Sequence, residues 1–123
     1  MPLILVVEDR KADQYVLQHL LSKFNYDSEV VSSAESALQS LDSTCYSAIL
    51  MNVTLPGMNG IACAHKIRTT KTVMVYTPII AVTAKDADET RALCFDAGMD
   101  DYLSKPFSPQ QLREVVARYV PVI

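Results

Sequence analysis

With 123 residues, half of them apolar, and a formal net charge of −3, the chain has the length of one ordinary domain and enough apolar side chains for a real core. Its mild acidity and dispersed basic residues argue against a nucleic-acid-binding face, and no apolar run approaches membrane-spanning length. The N-terminus lacks the charged start and small-residue cleavage site of a signal peptide, so a cytoplasmic location is expected. Cys45, Cys63 and Cys94 are odd in number and far apart. They make neither a disulfide framework nor a zinc motif and read as reduced packing thiols.

Leu3 to Val7 is a continuous apolar run, the pattern of a central parallel strand covered on both faces. Asp13 to Phe24 carries Tyr15, Val16, Leu20 and Leu21 at helical spacing. Ser28 to Val31 reads as a second strand, and Ser32 with Glu35 as a capping box opening a helix through Ala37, Leu38 and Leu41. Ser47 to Met51 is the third strand. It ends at Asn52, after which Pro56-Gly57 and Asn59-Gly60 break the chain twice. Gly60 leads into a helix through Ile61, Ala64 and Ile67, ending near Arg68.

Thr69 to Thr77 is the least regular stretch: Val73 to Tyr76 fits either a helix end or an extended connection. Pro78 to Thr83 is the fourth strand. Asp86 and Glu89 make a cap-type pair, and the helix they open runs to Gly98, which suits a left-handed C-terminal cap. Asp101 to Ser104 is the fifth strand. Ser108-Pro109 with Gln111 marks a helix start, with Leu112, Val115, Val116 and Tyr119 along it.

Strands alternating with helices five times imply an α/β fold: a parallel five-stranded sheet with helices on both faces. The expected topology is flavodoxin-like and doubly wound, (βα)5, with strand order 2-1-3-4-5 and residues 1–123 forming a single domain. Its switch point lies beside the first and third strands, so Glu8-Asp9 and Asn52 should share one crevice. Thr83 and Lys105 should lie on the same sheet edge.

Four segments in register carry a family resemblance. They are Glu8-Asp9 after the first strand, Ala48 to Gly60, Thr83-Ala84 after the fourth strand, and Lys105-Pro106-Phe107 after the fifth. From Leu3 to Tyr119 the chain resembles the receiver domain of response regulators, the signalling module of two-component phosphorelays. That resemblance implies a site in which two acidic residues and a phosphoacceptor aspartate hold one magnesium ion. A backbone carbonyl two residues past the acceptor completes the protein ligands. Carried over residue by residue, the metal set is Glu8, Asp9, Asn52 and the Thr54 carbonyl. Thr83 is the switch hydroxyl, Lys105 the phosphate-sensing cation and Tyr102 the aromatic rotor on the output face. Lys105-Pro106 is the peptide that the family holds in cis.

One position departs from the pattern: Asn52 stands where receivers carry the aspartate. An amide oxygen is a poor nucleophile and cannot form an aspartyl phosphate. Magnesium binding should weaken, with the Asn52 oxygen still able to ligate, while the near-isosteric change should leave folding intact. Two origins fit equally: a natural pseudo-receiver, or an Asp-to-Asn variant of an ordinary receiver. The resemblance implies as partners a histidine kinase or phosphotransfer protein and an output domain, with a homodimer as a further option, and no direct contact with nucleic acid or membrane. A resting, inactive-like form is expected, with Thr83 and Tyr102 not turned inward.

A different class of function, a small metal-dependent phosphate-ester enzyme or nucleotide-binding domain using Asp9 and Lys105, fits the fold. It finds no Gly-rich phosphate loop or dinucleotide fingerprint to support it. His19 and His65 read as surface residues. Arg10-Lys-Ala-Asp13 matches a short Arg-x-x-Asp pattern used in some cyclic-dinucleotide sites, a pattern common by chance.

Overall fold

The computed structural model describes residues 1–70, 76–84 and 88–121. Ten elements alternate: β1 (Leu3–Val7), α1 (Lys11–Lys23), β2 (Asp27–Val31), α2 (Ala34–Ser43), β3 (Ala48–Asn52), α3 (Gly60–Thr70), β4 (Ile79–Thr83), α4 (Asp88–Asp96), β5 (Asp101–Ser104) and α5 (Pro109–Tyr119). All strand pairs are parallel, in the order β2-β1-β3-β4-β5. This is the flavodoxin-like topology expected from the alternation of elements.

The period of two along each strand sorts the core into two layers. Ile4, Val6, Ala48, Leu50, Ile80, Val82 and Leu103 face α1 and α5, where Leu17, Leu21, Leu112, Val115 and Val116 cover them. Leu5, Val7, Ile49, Met51, Ile79, Ala81 and Tyr102 face the other side, against Ala34, Ala37, Cys63, Ala64, Ile67, Cys94 and Ala97 from α2, α3 and α4. Burial of each large apolar side chain contributes about 1.5–3 kcal/mol, so the central strands anchor everything at their ends.

The helix starts refine the local reading. Ser108 Oγ accepts from the Gln111 N–H at 3.1 Å and Gln111 Oε1 from the Ser108 N–H at 2.8 Å, a complete capping box behind Pro109. The cap of α2 lies one residue later than expected. Ser33, not Ser32, is the N-cap and accepts from the Ser36 N–H at 3.1 Å, while Ser32 Oγ accepts from Gln14. Helix α1 begins at Lys11 rather than Asp13. Gly98 takes a left-handed φ of +102°, as its place after α4 requires. Cys63 and Cys94 are buried packing thiols, but Cys45 is exposed, which corrects the packing reading for that residue. Val73–Val75 and the Asp86 cap fall outside the described residues. No helix among the described residues is long and apolar enough to cross a membrane.

Candidate functional site at the carboxyl edge of the sheet

The register brings the candidate residues together. Val7 of β1 pairs with Met51 of β3, so Glu8 and Asn52 come next, side by side, on the α1/α5 side of the sheet. Asn52 pairs in turn with Val82, and Thr83 with Ser104, so Thr83 and Lys105 continue along the same edge. The Lys105 N–H donates to the Thr83 carbonyl at 2.8 Å, fixing the lysine's backbone to the end of β4. The Lys105-Pro106 peptide is cis.

Glu8 is the hub. It is 1 % exposed, and both carboxylate oxygens are engaged. Lys105 Nζ donates to Oε1 at 2.6 Å; Asn52 Nδ2 donates to Oε2 at 2.8 Å, and the Arg10 N–H to the same oxygen at 3.1 Å. The cost of burying this carboxylate is offset by three protein donors, one of them a cation. Asp9 is half-buried and receives Asn52 Nδ2 at 3.4 Å. Lys105 Nζ also reaches Asp13 Oδ2 at 3.1 Å, tying the β5–α5 loop to α1.

Asn52 is itself 7 % exposed, and its Oδ1 accepts from the Thr54 N–H at 3.2 Å. Thr54 is exposed and enters the network through that N–H. The oxygen of Asn52, expected to be able to ligate a metal, here accepts a backbone N–H. Its oxygen serves the β3–α3 loop and its NH2 faces the acids. Gly60 secures that loop, since its N–H donates to the Val53 carbonyl at 2.9 Å. A Cβ at position 60 would lie 2.2 Å from the Asn52 backbone oxygen, so only glycine fits.

Thr83 is 1 % exposed, and Tyr102 is 7 % exposed on the α2–α4 face, with the Arg91 guanidinium 5.1 Å above its ring. Tyr102 is inward, which corrects for that residue the expectation of a resting form with it turned out; Thr83 is buried at the end of β4. Apolar burial and the cation over the ring hold Tyr102 there with no added phosphoryl group.

Three participants escaped the sequence reading. Asp13 supplies a further carboxylate to Lys105, Gln14 Nε2 donates to the Glu8 carbonyl at 2.6 Å, and Gly60 makes the close approach to Asn52. For Gln14, one turn along α1 from Arg10, helical spacing was the only available signal. His19 and His65 are exposed, as expected. Beside the site, Arg10, Asp13, Val16, Leu17, Lys105 and Phe107 line a cleft of about 370 Å³.

As arranged, these residues do not fit a magnesium ion. Magnesium takes hard oxygen ligands in near-octahedral geometry. Here both Glu8 oxygens are taken by protein donors and an NH2 group faces the acid pair. No group of three or more His, Cys, Asp or Glu is placed to hold a metal among the described residues.

Comparison with known proteins gives a consistent answer. Residues 4–117 match the model of the response regulator receiver domain family. The chain is 36 % identical over 120 residues to the alkaline phosphatase synthesis transcriptional regulatory protein PhoP of Bacillus subtilis, covering 98 % of this chain and 48 % of that protein. It is 38 % identical over 115 residues to the transcriptional regulatory protein ResD of the same organism, covering 94 % of this chain and 45 % of that protein. The chain thus spans about half the length of the curated relatives it matches. Among solved structures, the receiver domain of the sensor histidine kinase PA1611 from Pseudomonas aeruginosa superposes with a TM-score of 0.88 at 34 % identity, covering 98 % of both chains. That structure holds a magnesium ion coordinated in its active-site cleft.

Proposed function

The chain belongs to the response regulator receiver family, and from that premise we propose that residues 1–123 form one receiver domain whose phosphoacceptor position is held by Asn52. Receiver domains are signalling modules rather than enzymes in the ordinary sense. The observation that carries the reading is the convergence of Glu8, Asp9, Asn52 and Lys105 at one sheet edge, with the Asn52 amide at the centre of the bonding.

The chemistry follows from the residue types. Phosphoryl transfer asks the protein for a nucleophile, for positioning and for charge neutralisation. Lys105 supplies a point charge, and the Thr83 hydroxyl is of the kind that takes a phosphoryl oxygen. The nucleophile is missing: a neutral amide, with its oxygen on Thr54 and its nitrogen on Glu8 and Asp9, cannot attack a phosphoryl group. Magnesium binding is weakened for the same reason.

Output then passes through protein contacts that do not require phosphorylation. Partners are a histidine kinase or phosphotransfer protein on the input side and an output domain or partner protein on the other. A homodimer is a further form of contact, and the setting is cytoplasmic. A partner shifts this domain only by binding one conformation better than another. The buried Tyr102 favours a form that is already switched inward.

The test uses intact mass after exposure to magnesium and a small acyl phosphate, for the chain and for Asn52→Asp in parallel. Phosphoryl gain by the variant alone supports the reading. Gain by the parent chain, or by neither, overturns it.

A further inference from the structure

The Asn52 amide has two possible settings, and its surroundings allow one. The Glu8 and Asp9 carboxylates only accept hydrogen bonds, and the Thr54 N–H only donates. With Nδ2 at 2.8 Å from Glu8 Oε2 and 3.4 Å from Asp9 Oδ1, and Oδ1 at 3.2 Å from the Thr54 nitrogen, each contact pairs a donor with an acceptor. The flipped setting would press Oδ1 against two carboxylates and NH2 against an N–H. At 7 % exposure, the Asn52 side chain itself has little access to water to relieve either clash.

The remaining negative charge is also answered from within. Lys105 Nζ lies 2.6 Å from Glu8 Oε1 and 3.1 Å from Asp13 Oδ2, and it is itself mostly buried. From these contacts we infer that Asn52 and Lys105 together act as a built-in substitute for the divalent cation, so that the cleft is closed to metal and the domain holds its shape without one. The inference rests on the receiver reading of this site and deepens it. A cation approaching Glu8 meets the Lys105 ammonium on Oε1 and two N–H donors on Oε2. In return it gains Asp9 and one neutral oxygen that must first leave Thr54. The internal donors also bridge β1, β3, α1 and the β5–α5 loop, the parts that a metal-dependent cleft would leave mutually repelling.

The consequence is specific. Asp at position 52 removes both Nδ2 bonds and sets a third carboxylate beside Glu8 and Asp9. A single substitution then converts a metal-independent domain into a metal-dependent one.

Thermal melts of the chain and of Asn52→Asp, each in chelator and in millimolar magnesium, test this. The parent midpoint moves by less than about 1 °C between the two conditions, whereas the variant melts about 5 °C below the parent in chelator and regains most of that in magnesium. A parent that gains as much from magnesium as the variant overturns the inference. A second measurement needs no variant. The Asn52 side-chain amide resonances, followed by nuclear magnetic resonance through a magnesium titration, stay in place if the site is closed, and shift with saturation if it is not.

The two readings fail separately. Magnesium binding by the parent, together with phosphoryl capture by Asn52→Asp, sinks this inference and leaves the functional reading standing. A metal-insensitive parent whose variant captures no phosphoryl does the reverse.

Discussion

At the amino edge of the sheet, Asp100 accepts from the Ile79 N–H at 2.8 Å, from Arg68 Nη2 at 3.0 Å and from the Tyr76 hydroxyl at 2.7 Å. Arg68 continues to the carbonyls of Gly98 at 3.0 Å and Thr77 at 2.8 Å, with its guanidinium 4.1 Å from the centre of the Tyr76 ring. At the carboxyl edge, Glu8, Asp9 and Asp13 gather around Lys105 and a neutral amide. The first network matches one acid to one cation and fills the remaining valences with carbonyls, which suits a fixed anchor for α3. The second carries more acid than buried cation and depends on donors whose identity can change. A network with surplus charge of one sign can be driven by a ligand or a modification; a balanced one resists both.

The largest way to break the contrast is steric. Gly60→Ala sets a methyl group against the Asn52 carbonyl, and the expected cost is about 3 kcal/mol in denaturant unfolding, with loss of the site's order. An equal loss on moving the substitution elsewhere in α3 would show that the close approach is not the cause.

A control lies in the core between the edges. Burial, with Glu35 adding to it, pushes the Cys63 thiol up to about 11 from an ordinary 9.0. The neutral thiol is favoured in the fold, so the unfolded chain ionises first. Stability from this group is intact below pH 9.0 and is lost as pH rises toward about 11, an effect of about 2–3 kcal/mol. Unfolding midpoints taken across that range should fall less steeply for Cys63→Ala; an unchanged slope would assign the alkaline loss elsewhere.

Next comes the amino edge itself. Arg68→Ala takes the cation from Asp100, which keeps the Ile79 N–H and the Tyr76 hydroxyl, and removes the donor from two carbonyls; it should cost about 2 kcal/mol without altering magnesium response. The smallest effect is expected at Arg118, 60 % exposed and 3.0 Å from Asp101, where alanine should cost no more than about 0.5 kcal/mol. If Arg118 outranked Arg68, the amino edge would not be the cooperative anchor described.

The fold was legible because its signals are local and repeated. Apolar runs of four or five residues ended by turns marked β1, β3 and β4, short mixed stretches between helices marked β2 and β5, and Ser108-Pro109 with Gln111 marked the start of α5. The α2 cap slipped by one residue because Ser32 and Ser33 are adjacent and equally able to cap. Only tertiary competition from Gln14 takes Ser32 away. Glu8, Asn52, Thr83 and Lys105 were placed on one edge by strand ends alone. The direction of the Asn52 amide was not, because it depends on donors and acceptors that arrive from Thr54, Glu8 and Asp9 only in the fold. The inward Tyr102 escaped for a similar reason. Strand alternation assigns it a face, but whether that face is covered depends on α4 and on Arg91.

The most direct test of the closed carboxyl edge is a crystal of this protein grown with manganese, a magnesium substitute visible by anomalous scattering. The account predicts no anomalous peak between Glu8 and Asp9, with the Asn52 nitrogen in that place. A peak there, coordinated by the two acids with the Asn52 oxygen turned toward it, would contradict the account.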